Sequence, residues 1–517
     1  MNSKWDMLMG GLKKVHHPHD RSRTPCGALN AASALGSIES LCSPRKRESL
    51  MASIIRQIGL ILMVLILSAC AANLPQRVEV REDVLKIARE MTAAEQPGDL
   101  PELRDESGLN DYLAYAALNN PGLKAAFLRW KAALEKIPQV TALPDPRFTY
   151  AYYIKSVETR VGPQHHRFAL LQTFPWYGKL ELRGDTAAES ARADQQRYEA
   201  AKLTLFYQVK DAYYEYYFLG KSIAATEENM ELLQQLESIA RTQYATGLTP
   251  YASVVRAQVE LGKIEDRMKT LQDLREPIAA KLNAALNRQG LAPLPWPKQI
   301  REEDASFTEE QLLTWLKESN PDLKALDFMA EKEKKNIDLA RKDFYPDLTL
   351  GIESIYTGGA LMPGTPDSGK DPLIASLSFN FPIWWGKYRA GEREALTRYA
   401  SYRIERIDQE NRLWSDLKLA AYKYRDAERK ISLYRDTLLP KAAQSIQVSL
   451  ESFENGLGSF FELIDSVRTL LEFQLAYERA LAEKAQRLAE LEMIVGKQVP
   501  RTTEKAQQDN STEPLQK

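Results

Sequence analysis

Phe174-Pro175-Trp176-Tyr177-Gly178-Lys179 returns as Phe381-Pro382-Ile383-Trp384-Trp385-Gly386-Lys387, and this pair decides how the chain is read. Upstream, Asn120-Pro121-Gly122-Leu123-Lys124-Ala125 returns as Asn320-Pro321-Asp322-Leu323-Lys324-Ala325. Downstream, Tyr244-Ala245-Thr246-Gly247-Leu248 returns as Phe453-Glu454-Asn455-Gly456-Leu457. The offset is 200 for the Asn-Pro match, 207 to 208 across the Phe-Pro match and 209 for the Gly-Leu match. Three matches in one order imply a duplication, with one repeat over residues 107–300 and a second over 301–497.

Each repeat has the same grammar. A helix comes first, over 107–137 and then 308–343, with Pro138 and Pro346 where it gives out. Two strands follow, at 146–160 and 165–176, then at 347–358 and 371–383. Phe148, Tyr150, Tyr152 and Ile154 alternate with Thr149, Ala151, Tyr153 and Lys155; Ala375, Leu377, Phe379 and Phe381 alternate with Ser376, Ser378 and Asn380. Such a period of two marks a sheet with one apolar face. Val161-Gly162-Pro163-Gln164 is expected to turn the first pair, and Gly358 to Asp371 the second. Helical hairpins then fill 178–289 and 386–496, with no proline in 178–245 or 386–439. At ~1.5 Å per residue the first arm would reach about 100 Å. Val209, Ala212, Tyr216, Leu219 and Ile223 step by threes and fours, as do Leu463, Val467, Leu470, Gln474, Tyr477 and Leu481. Sustained spacing of this kind asks for coiled-coil-like neighbours.

The chain of 517 residues is 44% hydrophobic and 27% charged, a globular balance. Of its 69 basic and 70 acidic residues, positions 1–56 hold nine and four, leaving an acidic body. With no basic stripe, that argues against nucleic acid as a partner. Cys26, Cys42 and Cys70 all precede the repeats, which excludes a disulfide framework or thiolate metal site there. Residues 51–69 read as a signal peptide: Arg56 supplies the charge and Ile58 to Leu67 the apolar core, too short for a membrane helix. Leu67-Ser68-Ala69-Cys70 resembles a bacterial lipobox, so Cys70 is the expected lipid attachment site. Ala71 after it implies outer-membrane sorting in lipoproteins of this kind. Residues 1–50 are expected to be a non-native extension ahead of a start at Met51, 70–106 a lipid-anchored linker, and 498–517 a disordered polar tail.

No segment within the repeats is apolar enough for a spanning helix. The strands, however, are each about ten residues, the length that crosses a bilayer when tilted. Four strands cannot close on themselves, and an open edge is not tolerated in lipid; single-chain barrels begin at about eight strands. A membrane reading therefore requires several copies of the chain. Phe174, Trp176 and Tyr177, with Phe381, Trp384 and Trp385, lie at strand ends where an interfacial girdle would sit. The competing reading, a small soluble sheet, leaves the long helices unexplained.

On these motifs the chain resembles the TolC-type outer-membrane efflux protein family over roughly residues 107–497, most closely its lipoprotein branch serving resistance-nodulation-division pumps. The resemblance implies a mainly α fold with a small β part. Coiled-coil-like hairpins would form a periplasmic α-barrel, and four membrane strands per chain would contribute to a twelve-stranded β-barrel in a homotrimer. It implies a periplasmic adaptor and an inner-membrane pump as partners, outer-membrane lipid around the strands, no enzymatic activity, and no cofactor beyond the lipid on Cys70.

Gly247 and Gly456 suit left-handed helix stops at two hairpin tips. Thr249 with Pro250 suits an N-cap and first helical residue, and Ser459 with Glu462 a capping box. The residues alone read equally as structural turns. The resemblance makes Tyr244, Gly247, Leu248, Phe453, Gly456 and Leu457 adaptor-docking positions, and Glu462 and Asp465 constriction acids of the pore. Phe453, Gly458 and Ser253 depart from the family's usual tyrosine, basic and acidic residues, which puts a polar gate network in doubt. No phosphate loop, nucleophile elbow or HExxH is present. His165-His166 in a strand would point to opposite faces rather than share a metal. A periplasmic scaffold or adaptor lipoprotein without a pore is the alternative function, and type I secretion an alternative within the channel class.

Overall fold

The structure, a computed structural model, describes residues 102–290, 292–300 and 304–501. The expectations for residues 1–50, the signal segment, Cys70, most of the linker and the tail from 502 lie outside the described residues. Residues 498–501 correct the expected start of the tail. Val499 is buried, and Arg501 Nη2 donates to Glu492 Oε1 (2.9 Å), so the chain is still packed there.

The first helix of each repeat is two helices. Repeat one has α1 (Leu109–Asn119) and α2 (Pro121–Thr141). It continues through β1 (Arg147–Thr159), β2 (Gly162–Phe174), α3 (Lys179–Ala245), α4 (Tyr251–Asp273) and α5 (Arg275–Ala285). Repeat two has α6 (Glu309–Ser319), α7 (Pro321–Lys342), β3 (Leu348–Thr357), β4 (Leu373–Phe379) and α8 (Trp385–Leu433). One π-helical turn (Tyr434–Leu438) leads to α9 (Leu439–Glu454), and α10 (Phe460–Val495) ends the series.

The break between paired helices explains the most similar stretch of the repeats. Asn120 Oδ1 accepts the Leu123 amide (3.0 Å), and its Nδ2 donates to the Ala285 carbonyl (3.0 Å). Asn320 repeats both bonds, to the Leu323 amide (3.0 Å) and the Ile494 carbonyl (2.8 Å). In each repeat the asparagine caps one helix and takes up a terminal carbonyl of another. Pro121 and Pro321 follow at the first helical position, where a missing N–H costs nothing. The opposing helix ends need a left-handed residue, supplied by Asn287 (φ 55°) and Gly496 (φ 81°). A Cβ on Gly496 would come within 2.5 Å of the Ser319 carbonyl oxygen, so only glycine admits this approach.

Prolines end fewer helices than expected. Pro138 lies inside α2, in its last turn, where only the bond back to residue 134 is forgone. Pro440 sits in the first turn of α9, so the second arm runs on past it. Lys179 to Lys387 and the buried pair Tyr216 to Tyr424 share an offset of 208, whereas Tyr244 to Phe453 is 209. The π turn lies between those marks. It absorbs the single inserted residue, which would otherwise rotate everything beyond it by about 100°.

Packing follows the stripes. Tyr112, Leu123, Trp130, Tyr216, Leu282 and Leu286 form one core at the base of repeat one; Leu312, Leu323, Leu417, Tyr424, Leu491 and Val495 form its counterpart. The stripe of α3 leaves Ile223 half-buried and passes instead through buried Ser222, Thr226 and Asn229. Asn229 Nδ2 there donates to Gln474 Oε1 (2.7 Å) on α10. A straight helix drifts off a 3.5-residue repeat, which carries the seam onto these residues.

The strands form one antiparallel sheet in the order β1-β2-β3-β4, so the two repeats meet at β2 and β3. β4 is shorter than the expected 371–383. The first hairpin turns on Arg160 and Val161, not on 161–164: Thr159 already pairs with Gly162, and Pro163 lies within β2 opposite Glu158. Gly162 (φ 133°) is needed there, since a Cβ would fall 1.8 Å from the Gly358 carbonyl oxygen.

Asn320→Ala removes a cap and strands a buried carbonyl. It should cost about 2 kcal/mol, read as an earlier denaturant midpoint of the helical circular-dichroism signal.

Candidate functional site

Three features could carry function: the two faces of the sheet, the junction of sheet and helices, and the hairpin tips. The strand register stacks Phe148, Leu170, Ile352 and Ala375 in one row and Tyr150, Phe168, Ser354 and Leu373 in the next. Nearly every large side chain in those rows is exposed, so this apolar face meets nothing within the chain. The opposite face carries Arg147, Thr149, Ser376 and Ser378, an ion pair of Arg167 Nε with Glu353 Oε1 (2.6 Å), and a Thr173–Thr349 hydroxyl bond (2.9 Å). Period-two alternation in four separate segments thus becomes one sheet with an apolar and a polar side. β1 and β4 are its open edges.

Aromatic residues gather at both strand ends. Tyr177, Phe381, Trp384 and Trp385 are exposed beside the helices, and Trp176 stacks on Tyr345 with centroids 5.2 Å apart. At the far end Tyr150 and His166 Nδ1 share a hydrogen bond (2.9 Å), and Tyr152 and Tyr356 flank the same imidazole. His166 therefore lies in the aromatic row of the apolar face. Among the described residues no group of three or more His, Cys, Asp or Glu could hold a metal ion. Nor is any helix among them long and apolar enough to cross a membrane.

The junction is held by a buried charge. Lys179, the first residue of α3, is 3% exposed. Its Nζ donates to Asp347 Oδ1 (2.9 Å) and to the Tyr345 carbonyl (3.2 Å), with Asp343 Oδ1 at 3.4 Å. The Trp176 amide also donates to Asp347 Oδ1 (2.9 Å), and the Asp347 amide donates to Asn380 Oδ1. Burial by itself would raise the Asp347 carboxyl, but the Lys179 ammonium, the Trp176 amide and Arg183 hold it below the usual carboxylate range. Gly178 precedes the lysine at φ 85°, in the left-handed region.

Both tips are built alike. At the end of α3 the Gly247 amide donates to the Tyr244 carbonyl (3.0 Å) and the Leu248 amide to the Gln243 carbonyl (2.8 Å). At the end of α9 the Gly456 amide donates to Phe453 (3.0 Å) and the Leu457 amide to Ser452 (2.9 Å). These are two Schellman motifs with glycine in the left-handed position, at φ 76° and 73°. The leucine that usually packs back on the helix instead points outward in both, 70% exposed at Leu248 and 88% at Leu457. Tyr244 is exposed and lies against Tyr251, with centroids 5.1 Å apart.

Phe453 is corrected as a docking residue. It is 3% exposed, packed on Phe460, and belongs to the core that joins the two tips. Gly458 has a steric cause: a Cβ there would lie 2.8 Å from Ser452 Cβ, so no basic side chain fits.

The expected caps differ as well. Pro250 holds the N-cap position of α4, and the Thr249 hydroxyl bonds the Ser253 hydroxyl (3.0 Å) instead. Ser459 does cap α10, accepting the Phe461 amide (3.2 Å), but Glu462 does not complete a capping box. Glu462 is left exposed beside Asp465, whose side chain is 60% exposed. Two cations that sequence reasoning missed stand nearby. Arg468 Nη1 is 3.8 Å from Asp465 Oδ1, and Arg256 lies 4.1 Å over the Phe461 ring. The i,i+3 spacing of Asp465 and Arg468 was the available signal for the first.

The family model described as "Outer membrane efflux protein" matches residues 113–288 and 312–497, one segment per repeat. Toxin and drug export protein A of Aggregatibacter actinomycetemcomitans is 23% identical over 272 residues, 51% of this chain and 59% of that protein. The chain thus spans under two thirds of that relative's length. The probable outer membrane lipoprotein SilC of Salmonella typhimurium is 21% identical over 404 residues, 71% of this chain and 81% of that one. The crystal structure of the outer membrane protein VceC of Vibrio cholerae superposes with a TM-score of 0.62 at 17% identity, over 75% of this chain and 96% of that one. The mainly helical fold with a small antiparallel sheet is therefore the fold of that outer membrane protein.

The depressed Asp347 carboxyl has a definite sign. Its contribution to stability is complete above the ordinary carboxylate value and is lost as pH falls through the depressed one. Asp347→Asn should destabilise the protein at neutral pH. It should also lose less stability than wild type between about pH 5 and 3, as measured by denaturant titration across that range.

Proposed function

Because the chain belongs to the outer membrane efflux protein family, we propose that it is the outer-membrane channel subunit of a tripartite efflux system. It passively conducts substrates from an inner-membrane pump and a periplasmic adaptor to the exterior. The observation that carries this reading is the sheet: a broad apolar face exposed to no part of the chain, a polar face behind it, and two open edges. In lipid such edges must be closed, and the polar face then lines a water-filled lumen. Three copies supply twelve strands. Cys70 bears the lipid anchor in this reading, in keeping with a relative named as a probable outer membrane lipoprotein.

The long arms cross the periplasm and end at the tips. Exposed Tyr244, Leu248 and Leu457 offer the adaptor an apolar surface, set by Gly247 and Gly456. Glu462 and Asp465, turned away from the Leu463–Ile464–Val467 core, face the lumen as a ring of carboxylates that favours cations. Arg468 tempers that ring at Asp465.

The purified protein should migrate as an SDS-resistant oligomer until boiled and open channels in planar bilayers. A peripheral scaffold lipoprotein would do neither and would leave the membrane in high salt. Asp465→Asn should shift the reversal potential in a salt gradient toward lower cation preference; an unchanged value would remove Asp465 from the pore. Leu248→Asp with Leu457→Asp should abolish efflux-dependent resistance while channel conductance persists.

A further inference from the structure

The Lys179–Asp347 contact ties the end of the first strand pair to the start of the second. The duplication supplies the same two groups once more, and the chain leaves them apart. The Lys387 amide donates to the Trp384 carbonyl (2.9 Å) as the Lys179 amide donates to Trp176 (3.0 Å), so the two lysines hold equivalent places. Asp145 follows Pro144 just ahead of β1 as Asp347 follows Pro346 just ahead of β3. Yet Lys387 and Asp145 are both exposed. Among the described residues neither makes an ion pair, and Lys387 Nζ has only the Tyr388 ring, 5.6 Å away.

We propose that Lys387 clasps Asp145 of the partner subunit, a second copy of this chain, repeating across the seam the bond that Lys179 and Asp347 make within it. The proposal rests on the oligomeric channel reading above. The sheet register supports it. Gln172 pairs with Leu350 at the inner seam. Their equivalents, two residues before the Phe-Pro step and three after the aspartate, are Phe379 and Phe148. Pairing these at the outer seam sets Leu377 opposite Tyr150 of the partner subunit and Ser378 opposite Thr149 of the partner subunit. The apolar face then continues unbroken; a slip of one residue would turn it inside out.

The helices point the same way. Between Lys179 and Leu205, α3 buries Ala191, Ala193, Tyr198 and Leu205. The corresponding part of α8 buries only Ala395 and leaves Leu396, Ile404 and Ile407 exposed. That flank continues from the Lys387 end of the open edge, where a second copy would cover it.

The test is charge exchange in the full-length protein extracted from outer membrane. Asp145→Lys and Lys387→Asp should each lower the temperature at which the SDS-resistant band falls to monomer, by roughly 5 °C or more, with helical content unchanged. The double variant should regain most of that loss. Single variants without effect, or a double variant no better than their sum, overturn the clasp while the oligomer stands. A wild-type chain that stays monomeric overturns the channel reading and the clasp with it. Should a charge variant fail to insert, Thr149→Cys with Ser378→Cys decides. The repeats hold no cysteine, so a thiol-reversible covalent oligomer supports the seam, and its absence, with Thr149→Cys and Ser376→Cys linking instead, refutes it.

Discussion

A strand at the edge of a sheet presents a row of backbone N–H and C=O groups that something must satisfy. Here two such rows, on β1 and β4, flank a face of exposed Phe, Tyr, Leu and Ile side chains. In water the face is unfavourable, and in lipid the edges are. Only closure of several sheets into a ring relieves both at once. In the proposed channel the remaining architecture serves that ring: the junction fixes how each sheet meets its helices, and the arms carry the lumen away from it.

The helical part is organised by a second recurring requirement, the satisfaction of helix ends. Asn120 and Asn320 each cap one helix and bind a terminal carbonyl of another, closing the base of a repeat. At the opposite end the Schellman turns satisfy the last carbonyls of α3 and α9 from the backbone, and the cap side chains Thr246 and Asn455 add bonds to the Gln243 and Glu451 carbonyls. The tip leucines, freed from packing, remain exposed. Rigidity at the base and apolar display at the tip thus come from the same accounting of backbone groups.

What could be read in advance follows the range of the interactions involved. Strand identity, face assignment and the long arms depend on local periodicity, and the strands at 147–159 and 348–357 fall within a residue or two of expectation. The left-handed glycines at both tips were likewise legible, because φ constraints are local. Roles set by distant partners were not. Asn120 and Asn320 stood out only as repeated letters, since their partners lie 165 and 174 residues away. The Thr249 hydroxyl has a closer partner in Ser253, and Phe453 is claimed by a core that two separate hairpins build together. Pro138 misled because a proline in a last turn breaks little.

The π turn at Tyr434–Leu438 has a consequence for symmetry. If six hairpins from three chains are to stand around one axis as near equals, their tips must face that axis in the same direction. A helix with one extra residue violates this, because each added residue turns all that follows. A single wide turn confines the added residue to one place and restores the heading of the tip. In the proposed trimer the two repeats can therefore differ in length while the ring keeps its quasi-sixfold order.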